Sequence, residues 1–73
     1  MRVHRGTFIY TIKEKTFLIN FVHGVLEEIP SKLGRKICSL KRKGSFSFEE
    51  SGFGEELFCY FNKRGYITVY STW

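Results

Sequence analysis

TFIYTIKEKTFLINFVH, from Thr7 to His23, is the stretch on which the fold turns. Phe8, Tyr10 and Ile12 alternate with Ile9, Thr11 and Lys13, which is the period of a β-strand. Phe17, Ile19 and Phe21 then alternate with Leu18, Asn20 and Val22. A two-residue loop at Glu14 and Lys15 sets Ile12 against Phe17, Tyr10 against Ile19 and Phe8 against Phe21. Such a hairpin is marginal alone and needs a cover.

The cover comes after Pro30, which blocks the helical state for Ile29 and suits a helix start after it. Ser31 to Lys43 carries Leu33, Ile37 and Leu40 on one stripe. Lys32, Arg35, Lys36, Arg42 and Lys43 fall on the other side. Ser31 suits the N-cap and Gly44 the C′ position. Val25 to Ile29 reads either as a helical turn or as an extended connection.

Toward the C-terminus, Ser45 to Glu49, Leu57 to Phe61 and Tyr66 to Ser71 read as strands rich in aromatic and β-branched residues. Asn62 to Gly65 would join the last two. The expected order is ββαβββ: one α+β domain over residues 1–73, an antiparallel sheet with a basic amphipathic helix on one face. Residues 1–6 form an arm carrying Arg2, His4 and Arg5. A rival rests on the likeness of CSLKRKGSFSF (38–48) to CYFNKRGYITV (59–69) at a constant offset. Taken as a repeat, it gives an all-β chain of six short strands in three hairpins. The clean separation of apolar from basic residues around the 31–43 wheel favours the helix.

Seventy-three residues with eight Phe, four Tyr and one Trp make a small, aromatic core. Twelve Lys and Arg against seven Glu leave a formal charge of +5, a balance that suits an anionic partner. Two cysteines are too few for a disulfide scaffold. No apolar run is long enough for a membrane span, and residues 1–8 lack a signal-peptide core. A reduced, cytoplasmic setting is the expectation, with no cofactor.

Coverage gives the functional reading. The helix stripe can shield one sheet face, assigned as that of Phe8, Tyr10, Ile12, Phe17, Ile19, Phe21, Phe58, Tyr60, Ile67 and Val69. The other face, with Ile9, Leu18, Val22, Leu57, Phe61, Tyr66 and Tyr70, is too apolar for water. A second copy of the chain, a partner protein or stacked bases would cover it, unless the sheet closes into a small barrel. The leading reading is nucleic-acid binding, DNA or RNA, with Lys32, Arg35, Lys36, Arg42, Lys43, Lys63 and Arg64 on phosphates and Tyr66 stacking. The alternative is a protein-binding inhibitor of a host factor, of the kind phages and other mobile elements encode. It would dock through Leu57, Phe61, Tyr66, Tyr70 and Trp73.

Catalysis has little support. His23, Arg64 and Tyr66 would be the groups of a small RNA-cleaving enzyme, but they sit in no motif, and a non-enzymatic role is preferred. His4, His23, Cys38 and Cys59 lack zinc-ligand spacing, EESGFGEE (49–56) lacks calcium-loop spacing, and both cysteines read as small buried apolar residues.

Overall fold

The computed structural model describes residues 1–69. Five strands and three helices follow in the order β1 (Arg2–Val3), β2 (Thr7–Ile12), β3 (Lys15–Asn20), β4 (Val25–Ile29), α1 (Ser31–Lys43), α2 (Phe48–Ser51), α3 (Glu55–Arg64) and β5 (Ile67–Thr68). Strands β2, β3 and β4 form an open antiparallel sheet in that order, and β1 pairs with β5 in a second, two-stranded one. The α+β class and the basic helix on one sheet face stand. The all-β alternative and the barrel do not.

The hairpin turns one residue earlier than the sequence suggested, which shifts the pairing of its strands by two. Lys13 and Glu14 occupy its tip, with φ of 46° and 62°. Ile12 therefore faces Lys15, Tyr10 faces Phe17 and Phe8 faces Ile19. Two successive positive φ values make a turn whose twist matches that of the strands, and this outweighs the preference for Asn-Gly there. Val25 to Ile29 is a strand, so the meander has three members.

Three expected strands take other forms. Residues 57–61 lie inside α3. Gly54 precedes the helix, Glu55 and Glu56 sit in its first turn, Lys63 and Arg64 in its last, and Gly65 closes it at φ 88°. Those end signals, with Leu57, Phe58 and Phe61 on one side, prevail over the β-propensity of aromatic residues. Asn62 to Gly65 is thus a helix end, not a hairpin loop. In residues 45–49, Ser45 makes one bridge to Arg2. Ser47 then caps the single turn α2, its hydroxyl accepting from the Glu50 N–H while the Glu50 carboxylate accepts from the Ser47 N–H. Finally, of the expected strand Tyr66–Ser71, Ile67–Thr68 is a strand among the described residues, and residues 70 and 71 lie outside them. The likeness of 38–48 to 59–69 has a simple meaning in its first seven residues: both are helix C-termini ending on a positive-φ glycine, Gly44 and Gly65.

The arm is sewn in. The Met1 ammonium donates to the Phe46 carbonyl at 3.0 Å, and the Phe46 N–H to the Met1 carbonyl at 2.8 Å. Val3, Leu18, Ile29, Ile37, Leu40, Phe46, Phe53, Phe61, Tyr66 and Ile67 make the core.

The faces of the main sheet are the reverse of those assigned. Helix α1 lies on the side of Thr7, Ile9, Thr16, Leu18 and Asn20. Gly34 lets it approach until a Cβ there would stand 2.6 Å from Thr16 Cγ2. Phe8, Tyr10, Ile12, Phe21 and Leu26 remain exposed on the far side. The physical reason is polar. Segment 65–66 crosses the inner face with its carbonyls aimed at the sheet. Thr7 Oγ1 donates to the Tyr66 carbonyl and Asn20 Nδ2 to that of Gly65. Buried backbone must be hydrogen-bonded, so the side carrying Thr7 and Asn20 turns inward.

Candidate functional site

The two constellations expected from sequence do not assemble. Tyr66 and Phe61 are each 1% exposed and belong to the core, so neither can stack on a base or meet a partner. Leu57 is half-buried against that core, and Tyr70 and Trp73 lie outside the described residues. The Tyr66 hydroxyl donates to Glu27 Oε2 at 2.9 Å, and burial together with that carboxylate pushes its pKa up to about 12. Arg64 stands 3.4 Å from the same carboxylate, and the Tyr60 hydroxyl donates to it as well. Glu27 thereby ties β4 to α3, and Arg64 is engaged inside the fold.

Helix α1 does present charge. Lys32, Arg35, Lys36, Arg42 and Lys43 are exposed, but Lys43 pairs with Glu50. The Lys43 ammonium and the Ser47 N–H hold that carboxyl down to about 2. Lys36 reaches over Gly52, and Lys63 is exposed on α3. Lys41, half-buried, bends toward β2, donating to the Thr7 carbonyl with its ammonium 3.6 Å from the centre of the Phe8 ring. Burial lowers its pKa.

The open sheet face is where aromatic surface collects. Phe8 is 46% exposed, Tyr10 56% and Phe21 70%. The rings of Phe8 and Phe21 lie 5.6 Å apart, tilted by 59°. Alternation places Phe17 and Ile19 between β2 and β4 on this face, with Leu26 beyond Ile19. Lys13 and Lys15 stand at the hairpin tip, and Lys41 at the other end beside Phe8. Part of this was legible: the alternation of Phe8, Tyr10 and Ile12 with Phe17, Ile19 and Phe21 defines one apolar surface, and the error lay in which layer covers it.

Two histidines that sequence separation had kept apart meet here. The His4 and His23 rings lie 5.1 Å apart, edge to face. His4 Nδ1 accepts from the Gly6 N–H at 3.0 Å, and burial, His23 and Arg5 all lower its pKa. Asn20 organises the pair, its amide 3.3 Å from His4 Nδ1 and its oxygen accepting from the His23 N–H at 2.8 Å. Gly65 is required below His23, since a Cβ there would stand 2.2 Å from the ring. His23 thus sits with His4, while Tyr66 and Arg64 turn to Glu27, so the trio considered for RNA cleavage is not a set. Among the described residues no group of three or more His, Cys, Asp or Glu could hold a metal ion.

Both thiols are free. Cys59 is exposed on α3 and Cys38 half-buried on α1, which corrects the expectation that both are buried.

No protein-family model, curated protein or solved structure matches this chain.

Among the described residues, no helix is long and apolar enough to cross a membrane.

Proposed function

We propose that this protein binds single-stranded nucleic acid on the open face of the β2–β3–β4 sheet. The observation that carries the reading is the exposure of Phe8, Tyr10 and Phe21 together on one sheet face. A sheet with helices behind it and aromatics in front offers unpaired bases a stacking platform, worth about 1–3 kcal/mol per base. Lys41 over Phe8 and Lys13 and Lys15 at the hairpin tip supply cations at both ends, and the formal charge of +5 draws the phosphates in. Duplex suits the face poorly, because its bases already stack on one another. The basic side of α1 lies on the opposite layer and serves as a diffuse attraction.

Fluorescence anisotropy with labelled oligothymidylate and oligouridylate across a salt series tests this. With about four phosphates engaged, the logarithm of affinity falls against log salt with a slope near −3. Phe8→Ala and Tyr10→Ala each weaken binding about tenfold or more. Absence of binding at low salt, or tighter binding to duplex, would sink the reading.

A second reading keeps the same face for a protein, as in the inhibitor role. Ile12 and Leu26, 47% and 60% exposed, favour it, since aliphatic surface suits a protein core better than bases. Leu26→Ser separates the two: it spares oligonucleotide binding and weakens a docked protein or a second copy of the chain.

A further inference from the structure

The hairpin register determines which way the backbone of β2 points. A two-residue turn closes on the pair Ile12–Lys15, so Ile12, Tyr10 and Phe8 direct their N–H and C=O groups at β3. Thr7, Ile9 and Thr11 direct theirs away. Thr7 bears this out: its N–H donates to the His4 carbonyl at 2.9 Å, and its carbonyl accepts from Lys41. Both of its outward groups are used. No described residue pairs with the outward groups of Ile9 and Thr11. Strand β2 is therefore an open edge, closed off at one end by a lysine.

Beside that edge runs a groove between β2 and α1. Its floor is Ile9, Ile37 and Cys38, and its rim Arg35, Lys41 and Arg42. None of the residues lining it is acidic.

We infer that this edge and groove take an extended, acidic segment of a partner protein, which adds to β2 as a further strand. Three observations choose that occupant. The edge offers donors and acceptors in alternation, which a peptide backbone satisfies and a phosphate backbone, carrying acceptors only, does not. The rim is cationic throughout, so alternate side chains of the incoming strand meet Arg35 and Arg42 if they are carboxylates. A second copy pairing β2 with β2 would set those arginines against their own counterparts, which like-charge repulsion opposes. The site adjoins the aromatic face, sharing Phe8 and Lys41 with it, and does not depend on nucleic-acid binding.

The two cysteines provide an internal control. Cys38 lines the groove and Cys59 is exposed on α3. A displayed library of random peptides is selected on the full chain, and the best binder is synthesised. The expected ligand carries Asp or Glu at alternate positions in a stretch without proline. Its binding slows alkylation of Cys38 by iodoacetamide and leaves Cys59 unchanged. Thr11→Pro removes an outward N–H without touching the β2–β3 ladder and weakens binding about tenfold. Arg42→Glu, an exposed change, does so independently of any effect on the strand, whereas Lys63→Glu has no effect. The inference fails if no peptide is enriched, if the enriched ones leave Cys38 unprotected, or if both Thr11→Pro and Arg42→Glu bind as the parent does. It also fails if oligothymidylate protects Cys38 better than the peptide, or if the chain dimerises through β2, seen as a doubled mass that Thr11→Pro abolishes.

Discussion

Asn20 ties β3 to β2 and to the segment that crosses behind the sheet. It is fully buried, donates to Thr7 Oγ1 at 2.9 Å and to the Gly65 carbonyl at 3.1 Å, and accepts from the His23 N–H. Asn20→Leu keeps the volume and strands those partners, so urea denaturation will show a loss of about 3 kcal/mol or more. Tyr66 gives a pH signature. Its folded pKa of about 12 lies above the ordinary 10.0 of a phenol, so the folded state keeps a proton that the unfolded chain releases. Its contribution is complete below pH 10 and disappears as pH rises from there toward 12. Thermal melting across that window will show a decline that Tyr66→Phe reduces. Neither role was legible in the chain: Asn20 read as one polar position in an alternating strand, and Tyr66 as a surface aromatic. The Asn20–Gly65 and Tyr66–Glu27 bonds span 45 and 39 residues, and local pattern carries no trace of them.

Helix ends and turns were more legible, because their chemistry is local. Helix α1 spans the expected Ser31–Lys43 and ends at Gly44, although Pro30 rather than Ser31 occupies the N-cap. For α3 the same signals were present in Glu55-Glu56, Lys63-Arg64 and Gly65, and aromatic content masked them. The hairpin tip holds two non-glycine residues at positive φ, each costing about 1 kcal/mol or more. Replacing Lys13-Glu14 by Asn-Gly will raise stability by about 1 kcal/mol, read from the denaturation midpoint. Gly34 works in the opposite sense. Ala is the better helix former by about 1 kcal/mol, yet a Cβ at 2.6 Å from Thr16 Cγ2 forces helix and sheet apart. Gly34→Ala will therefore destabilise the protein by about 1–2 kcal/mol net.

The molecule keeps its greasier sheet face outside. Phe8, Tyr10 and Phe21 lie exposed outside the core, so on the proposed reading replacing all three by Ser will shift unfolding by only about 1 kcal/mol while abolishing oligonucleotide binding. A collapse of stability on the same change, seen by thermal melting, would return those rings to a structural role. The coverage argument keeps its arithmetic, that one slim helix shields one face, and changes sides.

Local chemistry settled the α+β class, the hairpin, the span of α1 and the excess of positive charge, since each depends on neighbours within a few residues. Packing alone decided which sheet face turns inward and that Phe61 and Tyr66 are sealed. Those outcomes follow from where the carbonyls of residues 65 and 66 land. A buried carbonyl must find a donor, and the strand face bearing Thr7 and Asn20 was the one that had them.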